Sequence, residues 1–161
     1  MLEDCLFNNN AAGAGAAVAM RRGSRLHVCD TEFTNNLATS QVGAISVDQG
    51  CSALISDSVF EGNVALGNYG AIKANKATGL SIIDSRFERN IAQSILILLQ
   101  GSPDNHICNS KFIDNSAASI TPGFYLQGST LKIHNTTIDN TNIISGISAT
   151  DNGTSRFRMF D

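Results

Sequence analysis

The chain has 161 residues, a length that suits a single domain. It is 42% hydrophobic, enough for a core, but only 6% aromatic, with no Trp, two Pro and frequent Gly and Asn, a composition unlike that of long helices. A formal charge of −3 with eleven Lys plus Arg excludes the dense basic surface that nucleic-acid binding requires.

At the N-terminus, "MLEDCLFNNN" carries Glu3 and Asp4 where a secretory leader would carry positive charge. Val18 and Met20 alternate with small residues, which predicts a short strand with one buried face. Arg21, Arg22 and Arg25 surround "RRGS" and form the only basic cluster, read as a solvated turn. Leu26 and Val28 make the next alternation, then Ile45 and Val47, with "DQGCS" as the following turn. Ile72 and Ala74, then Leu80 and Ile82, flank the turn "ANKATG". The most apolar run, residues 91–100, is far shorter than the roughly 20 residues that cross a bilayer, so it is read as a core strand. Phe124 and Leu126, Leu131 and Ile133, and Ile147 and Ala149 continue the alternation, with "QGSPDN" and "LQGST" as turns. No stretch shows capped 3.6-residue periodicity.

These elements recur on a fixed period. Phe7, Phe33, Phe60, Phe87 and Phe112 follow one another at 26, 27, 27 and 25 residues. Three places after each stands Asn: Asn10, Asn36, Asn63, Asn90 and Asn115. Three places before each stands Asp or Asn: Asp4, Asp30, Asp57, Asp84 and Asn109. Thr31, Ser58, Ser85 and Ser110 follow the last four of these, and Cys5 follows the first. A degraded sixth copy has Asn135, Thr136 and Ile138, with Thr141 in place of Asn. "FRMFD" then aligns with "LHVCD", placing Asp161 on the position of Asp30. Residues 1–161 therefore read as one segment cut from a longer array.

Short strands on a period of about 26 residues, without a helix, predict an all-β parallel β-helix of about six coils with three strands each. Coils stack at about 4.8 Å, so each residue lies over its own counterpart. The Phe positions then form a stack worth about 0.5–1.5 kcal/mol per pair beyond burial. Asn, with donors and acceptors, can repeat as a hydrogen-bonded ladder, whereas a column of Asp would stack like charges. Asp30, Asp57 and Asp84 are accordingly read as solvent-side turn residues whose carboxylates cap backbone N–H groups. A leucine-rich repeat shares the period, but "LHVCDTEFTNN" lacks L-x-x-L-x-L.

The F-x-x-N phrases, with Gly-Ala-Ile in "VGAI" (42–45) and "YGAI" (69–72), resemble the repeats of the polymorphic outer membrane protein family. That resemblance implies a right-handed, pectin-lyase-like β-helix in a cell-surface or secreted protein, commonly adhesive. The expected role is a rod, spacer or interaction surface. The expected partners are neighbouring coils or subunits of a larger assembly, with glycans as a further class. Both ends of the segment offer unpaired strand edges and no visible cap, so the isolated segment is expected to aggregate or stack end to end.

Enzymes with this kind of helix carry Asp clustered with Arg or Lys on an outer face. Here Asp30, Asp57 and Asp84, with Arg86 and Arg89, are the candidates for a carbohydrate-active site. Their recurrence in every coil favours a structural role, and no enzyme activity or cofactor is expected. G-G-x-G-x-D, the pattern of calcium-binding rolls, is missing. Cys5, Cys29, Cys51 and Cys108 lack C-x-x-C spacing, which argues against zinc and leaves one disulfide open. His27, His106 and His134 do not repeat in phase. Asn135 and Asn152 match glycosylation acceptors.

Overall fold

A computed structural model describes residues 1–13, 17–40, 42–67, 69–118, 123–139, 147–149 and 155–160. Thr141, Asn152 and Asp161 lie outside the described residues. All regular structure within them is β.

The strands stack in four parallel sheets. The first holds Leu2–Glu3, Arg25–Cys29, Ser52–Ser56, Gly79–Ile83, Asn105–Cys108, Thr130–His134 and Arg156–Phe160. The second holds Leu6–Asn8, Glu32–Thr34, Val59–Glu61, Arg86–Glu88, Lys111–Ile113 and Thr137–Asp139. The third is built from two-residue strands: Ala11–Ala12, Leu37–Ala38, Val64–Ala65, Ile91–Ala92 and Ser116–Ala117. The fourth holds Val18–Met20, Ile45–Val47, Tyr69–Asn75, Ile95–Gln100, Phe124–Gln127 and Ile147–Ala149. Five coils carry all four strands, and the described part of a sixth adds strands to the first, second and fourth sheets. The expectation of three strands per coil is thus corrected to four. The extra strand directly follows the ladder Asn, and two residues are too few to show an alternation in sequence.

The predicted self-matching holds residue by residue. In the second sheet Phe7 pairs with Phe33, Phe33 with Phe60, Phe60 with Phe87, Phe87 with Phe112, and Phe112 with Ile138. The first four ring pairs stack with centroids 4.9, 4.6, 4.4 and 4.7 Å apart. The stack stops at Phe112, where Phe124 meets it edge-on at 5.0 Å. Ile45, Ile72 and Ile97 of the fourth sheet and Ile55, Ile82 and Ile107 of the first complete a buried aliphatic core.

Asn36, Asn63 and Asn90 are fully buried and fully bonded. The Nδ2 group of Asn63 donates to Asn90 Oδ1 at 2.9 Å and to the Phe33 carbonyl at 2.8 Å. Its Oδ1 accepts the Asn36 amide at 3.1 Å and Asn36 Nδ2 at 2.8 Å. Asn36 and Asn90 repeat the same four bonds. Two donors and two lone pairs are thereby satisfied inside a bend that no water reaches.

Three corners close each coil, and each uses a left-handed residue. Asp4, Asp30, Asp57, Asp84, Asn109 and Asn135 have φ between 44° and 51°. Asn9, Asn35, Gly62, Arg89 and Asp114 occupy the second corner, and Gly23, Gly50, Lys76, Gly101 and Gly128 the third. Asp and Asn are the side-chain-bearing residues that tolerate this backbone best. This corrects the reason for the acidic position. Asp30, Asp57 and Asp84 are exposed and cap no backbone N–H among the described residues; they recur because the backbone turns there.

The hydroxyl that follows points inward instead. Ser58 Oγ donates to the Ser56 carbonyl at 2.6 Å and accepts the Thr31 amide at 3.2 Å. Ser85 and Ser110 continue this second ladder. Cys5 substitutes for the hydroxyl as a donor, with its thiol on the Glu3 carbonyl at 3.1 Å.

Changes in coil length fall at two crossings, third-to-fourth and fourth-to-first; at the latter the separation goes from 27 at Gln100 and Gln127 to 26 at His106 and Lys132. Paired residues of the third sheet are 27 apart at Val64 and Ile91, and those of the fourth are 25 apart at Ile72 and Ile97. A register shift between Tyr69 and Ile72 takes up part of that difference. The third-to-fourth crossing also changes the separation from 26 at Ala11 and Leu37 to 27 at Val18 and Ile45, and from 25 at Ile91 and Ser116 to 27 at Ile97 and Phe124. Glycine is required at this crossing, because a Cβ on Gly70 would lie 2.8 Å from the Ala92 Cβ.

Two outcomes are expected. Asn63→Ala should lower stability by about 3 kcal/mol in urea unfolding, because it orphans the Asn36 donors and the Phe33 carbonyl; a loss below about 1 kcal/mol would contradict the ladder's role. Gly70→Ala should cost about 1–3 kcal/mol through overpacking. Adding Ala92→Gly should recover part of that loss in the same measurement, and no recovery would count against the contact.

Candidate functional site

The outer face of the first sheet is set by strand alternation. Leu26 and Val28 turn inward, so Arg25, His27 and Cys29 turn outward. Register then builds one outer column of His27, Leu54, Ser81, His106, Lys132 and Arg158. Over the earlier coils this face is shallow because Ser52, Gly79 and Ser81 are small. A depression of about 500 Å³ lies there, walled by Arg25, His27, Leu54 and Asp104. A second, of about 300 Å³, is lined by Pro103, Asp104, Thr130, Lys132, Arg156 and Arg158. Asp104 belongs to both, so the two depressions adjoin on this face and are together called its groove.

The groove is cationic. Among the described residues Asp104 is the one carboxylate lining it, and it bonds His106 Nε2 at 2.7 Å. Lys132, Arg156 and Arg158 have no carboxylate partner among the described residues. Three cations and one carboxylate along a cleft give it a net positive charge that suits an anion. None of these residues belongs to the repeat motif. Their only trace in the sequence is their outward position on the first strand of coils five to seven.

The acids and arginines paired in the sequence do not converge. Asp30, Asp57 and Asp84 line the exposed first corner. Arg86 and Arg89 lie on the second sheet and its corner, where they bind glutamates. Arg86 Nε donates to Glu88 Oε2 at 2.5 Å, and Arg89 bridges Glu88 and Glu61. The hydrogen bond that Arg89 donates to Glu61 raises the guanidinium pKa further above its ordinary value. Glu88 is nearly buried, so this network clamps coil three to coil four.

The remaining candidates are dispersed. His106 pairs in register with Lys132, and His134 with Cys108, so the two histidines stand in different columns. All four cysteines are free thiols. At Cys29, the Ser56 hydrogen bond lowers the thiol pKa, but the bond to Asp30, burial and the charges of Asp30 and Asp57 outweigh it, and the net shift is upward. Asn135 is exposed at φ 44°, with its Nδ2 on Asn109 Oδ1 at 2.9 Å. The run 91–100, read as one core strand, is two: Ile91–Ala92 belongs to the third sheet with Ile91 exposed, and only Ile95–Gln100 is a core strand, with Leu96, Ile97 and Leu99 buried.

The family described as right handed beta helix region matches residues 1–160. No curated protein and no solved structure matches the chain. Four parallel sheets wound coil on coil, with aromatic, amide and hydroxyl ladders inside, agree with that match across nearly the full length, and the chain belongs to the right-handed β-helix region family.

Proposed function

We propose that the chain is a structural and adhesive β-helix segment of a cell-surface or secreted protein, a stiff rod that presents the first-sheet groove as an interaction surface. The observation that carries the rod is the unbroken run of ladders from the first coil to the fifth. Each coil is bonded to the next through backbone, ring and amide together, so bending or shearing one coil disturbs all three. The likeness of the F-x-x-N and Gly-Ala-Ile phrases to polymorphic outer membrane protein repeats supports a surface location. The partners in this reading are further coils or subunits, with a glycan in the groove.

A glycan-binding role draws on one specific observation: Lys132, Arg156 and Arg158 line one groove without a carboxylate ion pair among the described residues. Their charge suits a carboxylated or sulfated sugar chain over a neutral one. Catalysis is not part of the proposal. The acids that recur, Asp30, Asp57 and Asp84, serve the backbone turn, and Asp104 is held by His106.

The groove is tested by calorimetry with polygalacturonate and with neutral dextran. Binding to the acidic polymer alone is expected, weakening as salt rises. Lys132→Glu with Arg158→Glu should reduce affinity at least tenfold, and equal binding of dextran would defeat the acidic-glycan reading. Release of reducing or unsaturated sugar ends during the incubation would overturn the non-enzymatic reading. The rod is tested by pulling the chain from its two ends. Stepwise release of about 90 Å per coil is expected, from roughly 3.5 Å per extended residue. Extension without discrete steps would contradict it.

A further inference from the structure

Charge is distributed unevenly around the rod. Asp, Glu, Lys and Arg are absent from residues 8–20, 33–47, 62–72, 90–103 and 115–131. In the first five coils these windows contain the third sheet, which bears no charged residue on either face. Ala12, Ala38, Ala65, Ala92 and Ala117 form its inner column, and Ala11, Leu37, Val64, Ile91 and Ser116 its outer column. Ile91 is 46% exposed, and Leu66, just past the third-coil strand, is 59% exposed. The aliphatic residues Leu37, Val64 and Ile91 occupy coils two, three and four, so the stripe is centred on coil three.

We propose that this face is an interface between two copies of the chain, packed antiparallel about a two-fold axis at coil three. A charge-depleted aliphatic centre is the mark of an interface core. Two-fold packing also requires a self-complementary patch. An axis across the rod sets Val64 against its own counterpart and Leu37 against Ile91. The same rotation brings the second sheets of the two copies to the same side. Glu32, on coil two, then approaches Arg86 of the second copy, on coil four, joining the pair that Arg86 makes with its own Glu88, and the contact forms twice. Both side chains are on the outer face of the second sheet, where Glu32, Val59 and Arg86 share a column. A parallel arrangement would set the second sheet against the fourth and lose this pairing. Five coils span only about 24 Å. The interface therefore falls in the small class, below about 1,200 Å² in total, which is the size of weak, transient associations. This inference goes beyond the proposed function and does not involve the groove.

Sedimentation equilibrium from about 1 µM to 1 mM tests it. A monomer–dimer equilibrium is expected. Leu66→Lys and Ile91→Lys should each weaken it at least tenfold while leaving the circular dichroism unchanged, since both sites are exposed. Glu32→Arg alone should weaken it, and Glu32→Arg combined with Arg86→Glu should restore it. A monomer across the whole range overturns the proposal, as does a dimer indifferent to Leu66→Lys. Failure of the double charge reversal to restore association overturns the antiparallel arrangement. An open-ended assembly that ignores all four substitutions would place the contact at the rod ends and overturn it too.

Discussion

The structure depends on the vertical amide–amide hydrogen bond. A buried Asn is costly unless both donors and both lone pairs are used, and only another Asn one coil away, with the adjoining backbone, supplies the right groups at the right height. That requirement fixes the register of the second and third sheets, because sliding any coil by one residue would orphan several polar groups at once. Parallel strands pair without a hairpin turn to set their alignment, so the ladder does the aligning. The ring stack next to it reinforces the same register through shape.

Each corner solves one problem in the same way. A left-handed residue turns the chain, and the residue after it points a small polar or compact side chain inward. Asp57 with Ser58, Gly62 with Asn63 and Gly50 with Cys51 are three versions of that device. The exposed first member needs backbone tolerance, and the buried second member needs a partner in the adjacent coil. This explains why the sequence keeps pairs of unlike residues next to each other.

Much of this was legible in the residues. Phe60 and Asn63 announced themselves because a residue whose neighbour is its own copy must recur. Coil stacking and the family-level fold followed. The third sheet was not legible, since Val64–Ala65 is too short to carry a periodicity. The acidic position was found, but its cause was misassigned, because φ leaves no composition signal that separates it from turn capping. Asp104, Lys132, Arg156 and Arg158 were missed for the opposite reason. They lie where the repeat imposes nothing, and a single sequence gives an unconstrained position no voice. Structure is written in the recurring letters, and any ligand specificity is written in the others.

The third-to-fourth crossing, where Tyr69 and Ile72 fall out of step with the next coil, gives this architecture a place to change its size. Residues gained or lost there leave the ring and amide columns in step, because the paired third-sheet strand lies between those columns and the crossing. Insertions can accumulate at that seam, and new loops can be grafted onto it, without renegotiating how the windings fit together. A duplicated coil can thus diverge in girth and decoration while still fitting between its siblings.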